Sequence, residues 1–185
     1  MMGRRAPQRS IQAVNMAGIL VLTVGSVFAA CGGGTSLPDP PPCPTPTATA
    51  TPGRGGGGAT GAQNRYVREV QAGSTRLNDL LTGFRATWPE NKFYRTGEFR
   101  TDFVNYAGAA ACVTADLARL TPPVTPGRAA DIDKALKPFL SDYEAALAQG
   151  REAVRARNTS DYRDWAKKMD ELVARQAELL KPPGQ

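Results

Sequence analysis

The sequence predicts an all-α protein, an antiparallel up-down four-helix bundle that follows a disordered N-terminal third. Three observations point there. After residue 62, apolar residues recur at helical spacing in four stretches. Breaks rich in proline, glycine or asparagine separate those stretches. No run alternates apolar and polar residues as a half-buried strand does. A chain of 185 residues has room for one ordinary domain.

The first helix is expected over 63–87. Tyr66, Val67, Val70, Leu77, Leu80, Leu81 and Phe84 form its apolar face, with Gly73 and Ser74 filling the small step. Trp88-Pro89-Glu90-Asn91 ends it. The second, over 96–120, has the cleanest pattern. Phe99, Phe103, Tyr106, Ala110, Val113, Leu117 and Leu120 step by 4, 3, 4, 3, 4, 3, a heptad seam suited to a bundle. Thr121-Pro122-Pro123 stops it.

The third helix is expected over 126–157, with Thr125 as N-cap and Pro126 in the first turn. Its seam is Ile132, Leu136, Phe139, Tyr143, Ala146, Gly150 and Ala153. Pro138 lies inside. The apolar phase continues across it, which predicts a kink rather than a new start. Asn158-Thr159-Ser160-Asp161 opens the fourth helix, 159–181, as a cap. Tyr162, Trp165, Ala166, Met169, Leu172, Val173, Leu179 and Leu180 form its stripe. The bundle domain is thus expected over 63–182.

The N-terminal third reads differently. Residues 1–10 hold three arginines and no acid, and no charged residue follows until after Pro38. The apolar run from Met16 to Phe28 then ends in small residues, the layout of an export signal over 1–30. Arg4-Arg5 lacks the apolar pair that a twin-arginine signal places after it. Residues 32–61 are almost all Gly, Pro, Thr, Ala and Ser, so nothing there offsets chain entropy by burial. Residues 31–62 are therefore expected to be a disordered linker, reaching up to ~90 Å when extended.

Val27-Phe28-Ala29-Ala30-Cys31 resembles the lipobox of bacterial lipoproteins, with Phe28 where leucine is usual. The resemblance implies that Cys31 becomes the first mature residue and carries palmitate or similar acyl chains. It also implies a lipid-anchored protein at the cell membrane or, because Gly32 rather than aspartate follows, the outer membrane. An uncleaved span from Ile11 and a plain cleaved signal are the competing readings, and all three export the domain. Signal, linker and bundle together, with Leu117-x-x-Leu120-x-Pro122-Pro123, resemble a class of exported bacterial lipoproteins with small helical bundles. That likeness implies no catalytic residues.

Charge and composition exclude several functions. The formal charge is +6, but Arg4, Arg5 and Arg9 fall in the export signal, leaving 20 basic and 17 acidic residues. That is no nucleic-acid-binding face. With no histidine in the chain, the commonest metal ligand and general base are missing. Bundle di-iron sites need inward Glu-x-x-His pairs, and Met169, the one plausible haem ligand, fits the core stripe better. No metal or cofactor is predicted. The carboxylate pairs Asp131/Asp133, Asp161/Asp164 and Asp170/Glu171 fit solvated helix faces, because no nucleophile or base accompanies them.

Two groups of residues remain. With Cys31 lipidated, Cys43 and Cys112 are an even pair in an oxidising compartment. An intramolecular disulfide, free thiols and pairing between molecules all stay open. Lys92, Arg95 and Arg100 precede or open the second helix, and Arg151, Arg155 and Arg157 end the third. If those ends meet, they form a patch for an anionic partner, set against ordinary solvated charge with acids interspersed. The sequence therefore predicts a tethered, non-enzymatic module that binds or braces a protein or cell-wall polymer at the envelope. The alternative is a small-ligand receptor, its pocket lined between helices by aromatic side chains and aided by Gly73, Gly108 and Gly150.

Overall fold

The computed structural model describes residues 36–44, 58–89 and 96–181. The whole export segment with Cys31, as well as Lys92 and Arg95, lies outside the described residues. Four helices follow one another: α1 (Ala59–Thr87), α2 (Gly97–Ala118), α3 (Arg128–Ala156) and α4 (Thr159–Leu180). Among the described residues there is no strand.

The seams meet in a single core. Phe99, Phe103, Ala110, Val113 and Leu117 of α2 are buried, as are Ile132, Leu136, Phe139, Tyr143, Ala146 and Ala153 of α3. Burying the valine, leucine, isoleucine and phenylalanine side chains among them contributes roughly 1.5–3 kcal/mol each relative to exposure, and the alanines less. Contacts run in opposite directions along successive helices. On α1 and α2, Phe84 meets Phe99 (ring centroids 5.6 Å apart), while Gly73 faces Leu117. On α2 and α3, Tyr106 meets Tyr143 and Phe103 meets Gly150. On α3 and α4, Arg175 bonds Asp142, and Arg128 reaches the Leu180 carbonyl at 3.2 Å. On α4 and α1, Arg85 pairs with Asp170 at 2.7 Å, and Gln176 donates to the Ser74 carbonyl.

One end of the bundle is aromatic. Phe84, Phe99, Phe103, Tyr106, Tyr162 and Trp165 form a connected set with neighbouring centroids 5.0–6.4 Å apart, mostly edge to face. Gly150 makes room for it. A Cβ there would stand 2.6 Å from Trp165 Nε1 and 2.7 Å from Phe103 Cζ.

Local chemistry sets the helix ends. The Thr96 side chain accepts from the Phe99 N–H at 3.1 Å and starts α2. Asn158 Oδ1 accepts from Ser160 and Asp161 N–H at 3.0 and 3.3 Å and starts α4, so the Asn-Thr-Ser triplet serves as a cap. Arg157, with φ 54°, turns the chain left-handed between α3 and α4.

Three sequence expectations need correction. Thr125 and Pro126 do not open α3. The helix begins at Arg128, after Gly127 turns with φ 151°, a conformation that costs glycine little. The Thr125 and Pro126 carbonyls instead accept from Gln63 Nε2 at 3.4 and 3.1 Å. Leu120 lies beyond the end of α2 and is only partly buried against the core. The linker expected over 31–62 is not free throughout. Ala59 already opens α1, and residues 36–44 lie on the bundle as a strap. Pro138 sits within α3, well after the helix has started.

Candidate functional site

The strap is built from three contacts. Leu37 packs, half-buried, against the core. Pro40 lies on Gly108 of α2, where an added Cβ would come within 2.7 Å of the proline's own Cβ. Cys43 is joined to Cys112, with Cα atoms 5.4 Å apart. The absence of a side chain at Gly108 lets the proline-rich backbone lie close to the helix. A segment with few apolar residues then holds its place through one leucine, one proline and one covalent bond.

The strap follows α2 away from its first turn. Ser36, Leu37 and Pro38 border a hollow with Gly97, Arg100 and Thr101. Ser36 and Leu37 also border a second hollow of about 600 Å³ with Ala107, Leu147, Arg151, Glu152 and Arg155. Three of the predicted basic residues, Arg100, Arg151 and Arg155, therefore flank the same point, the first described residues of the strap. Arg157 caps α3 and lines neither hollow.

The three arginines differ in their bonding. Arg155 grips Glu152 on its own helix, with Nε 2.8 Å from Oε2, an exposed pair of small energetic value. The bond raises the guanidinium pKa and lowers that of Glu152. Among the described residues, neither Arg100 nor Arg151 has an ion-pair partner. The Nε of Arg100 is buried without an acceptor.

A different hollow, about 620 Å³ and open to solvent, runs between α1 and α2. Leu80, Phe84, Trp88 and Tyr106 give it an apolar floor, with Arg76, Asp79, Asp102 and Asn105 as polar groups. Trp88 Nε1 donates to Asp102 at 2.9 Å. This groove lies on the outer face. The three small residues expected to open a pocket between helices are instead filled by Leu117, Pro40 and Trp165.

The carboxylate pairs serve the helices. Asp161 accepts from the Asn158 amide at 2.7 Å, and Asp164 and Glu171 pair with Lys167 and Lys168 one turn away. Asp133 does more than the sequence suggested. It accepts from the Tyr66 hydroxyl at 2.9 Å and pairs with Lys137 at 2.8 Å, tying α1 to α3. Burial by itself pushes its carboxyl up, but the Lys137 and Tyr66 bonds outweigh that and hold it below the usual carboxylate range. Nothing in the spacing of Tyr66 and Asp133 marks the pair, which only the packing of α1 on α3 brings together. Met169 is fully buried in the core. No group of three or more metal-ligating side chains occurs among the described residues, and no helix there is long and apolar enough to cross a membrane.

No protein-family model, curated protein or solved structure matches the chain.

Proposed function

We propose that the chain is an exported lipoprotein, anchored through acyl chains on Cys31, whose helical domain acts as a non-catalytic binding or structural module at the cell envelope. The observation that carries this reading is the Cys43–Cys112 disulfide. Such bonds form and persist in oxidising compartments and are rare in the cytosol. It lies close after a basic, then apolar, N-terminus that ends in small residues and a cysteine. The engagement of acidic side chains in caps and ion pairs supports the non-catalytic part. The test is growth of producing cells with an alkyne analogue of palmitate. The protein should take up label and sediment with membranes, and Cys31→Ala should lose both. Label that survives the substitution overturns the reading.

The groove between α1 and α2 favours a second reading, a receptor for a small amphipathic ligand. Its volume and its aromatic floor with a few polar groups suit one. The ligand would lie on the outer face, against Trp88, rather than between helices. A ligand there should shift the fluorescence of Trp88. Trp165 is fully buried and should contribute a constant background.

A further inference from the structure

The strap changes what a lipid on Cys31 would do. A free linker over 31–62 would let the bundle drift far from the bilayer. With the strap docked, only residues 32–35 separate Cys31 from Ser36, and five Cα steps span at most about 18 Å. The remaining Pro/Thr/Gly stretch, 45–57, then connects Pro44 to Gly58, two points that both belong to the bundle. It adds nothing to the reach of the anchor.

The chain enters the bundle at a particular place. Ser36 and Leu37 lie by the first turn of α2 and the last turns of α3. A short leash ending there turns that part of the surface toward the lipid. Arg100, Arg151 and Arg155 flank it, and two of the three have no ion-pair partner among the described residues. Each basic side chain near an anionic bilayer strengthens binding roughly fivefold.

We propose that the Cys43–Cys112 staple holds the bundle close to the membrane, with the Ser36 entry point facing an anionic bilayer and Arg100, Arg151 and Arg155 contacting its headgroups. The inference rests on the reading that Cys31 is acylated. The disulfide sets the standoff. With the strap released, the leash would run from Cys31 to Gly58, and at about 3.1 Å per residue it would reach roughly 80 Å.

The experiment uses the full-length acylated protein in supported bilayers of phosphatidylcholine, with or without phosphatidylglycerol. Neutron reflectometry reads the height of the protein layer, and hydrogen exchange reads which backbone is covered. The wild type should form a thin layer against the bilayer. On phosphatidylglycerol, residues 97–104 and 148–157 should be protected, and Arg151→Gln with Arg155→Gln should remove that protection. Cys43→Ser with Cys112→Ser should spread the layer outward by tens of ångströms. Should that variant lose its helical circular dichroism, ten Gly/Ser residues inserted between 33 and 34 lengthen the leash with the disulfide intact and should raise the layer in the same way. A wild-type layer no closer than that of the lengthened protein overturns the standoff. Equal protection on both lipids overturns the headgroup contact. Protein that carries no acyl mass and never reaches the bilayer overturns the reading of Cys31, and the present inference with it.

Discussion

Pro40 rests on Gly108 so closely that an added Cβ would stand 2.7 Å from the proline's own Cβ and 3.6 Å from its Cα. A proline ring has no rotamer by which to withdraw, so any side chain at 108 must shift the strap. Glycine in a helix interior otherwise costs about 1 kcal/mol relative to alanine. The two effects oppose each other, and the disulfide decides between them. In the wild type, Gly108→Ala should fail to stabilise the fold, because the stapled strap cannot move away. In a Cys43→Ser, Cys112→Ser background the strap is free to leave, and the same alanine should stabilise by up to about 1 kcal/mol. Urea unfolding of the four proteins measures the difference. Equal effects of alanine in both backgrounds would mean that the strap does not press on α2.

The disulfide closes a loop with a sequence separation of 69 residues, which includes all of α1. Cross-linking a loop of that size restricts the unfolded chain by roughly 4 kcal/mol in the entropic account, and measured effects are commonly 2–4 kcal/mol. Removing both cysteines should therefore lower the urea midpoint. It should also steepen the transition, since an unlinked unfolded chain exposes more surface. The buried cluster is made by residues of the four helices, from Tyr66 to Leu172, and Leu37 of the strap only packs against it from the side. The variant should thus keep its helical circular dichroism.

The heptad seams were legible because helical periodicity is itself a statement about burial. Every predicted seam position of α3, from Ile132 to Ala153, is buried. The Asn158 cap was legible because its chemistry is local. The strap was not. Leu-Pro-Asp-Pro-Pro-Pro reads as solvated, extended chain, and what fixes it is a missing side chain at Gly108 and a cysteine at 112, both far along the sequence. The same limit hid Tyr66–Asp133, where two unremarkable residues meet only after α1 packs on α3. At the start of α3 the local signal misled. Thr125-Pro126 has the form of a cap and first turn, yet the positive φ at Gly127 delays the helix.

Two helical glycines should respond to alanine in opposite directions. Gly150 faces rigid rings, with Trp165 Nε1 and Phe103 Cζ at 2.6 and 2.7 Å from an added Cβ. The aromatic cluster must then spread, and overpacking of this kind costs roughly 1–3 kcal/mol, more than the helix propensity returns. Gly83 on α1 has open space, with nothing within 4 Å of an added Cβ. Gly83→Ala should stabilise by about 0.5–1 kcal/mol. Thermal melts of the two variants check the pair, and a stabilising Gly150→Ala would show that the rings have room to move.

High pH should unfold the domain through its tyrosines. Burial raises the pKa of Tyr66, Tyr106, Tyr143 and Tyr162 above that of a free phenol. For Tyr66 the hydrogen bond to Asp133 and that carboxylate's charge add to the effect, and for Tyr106 the neighbouring Tyr143 adds to it. In each case the folded state holds a proton that the unfolded chain releases near pH 10. Below that pH both states are neutral and the contribution of these groups is fully present. Above it the folded state binds more protons than the unfolded state, so stability falls as pH rises. Tyrosinate absorbance and helical circular dichroism, followed together in an alkaline titration, should change in the same pH range, because the buried phenols ionise as the helices separate. Ionisation of most tyrosines while the helical signal stays intact would mean that the phenols of α1, α2, α3 and α4 reach solvent without unfolding, and that the aromatic end of the bundle opens on its own.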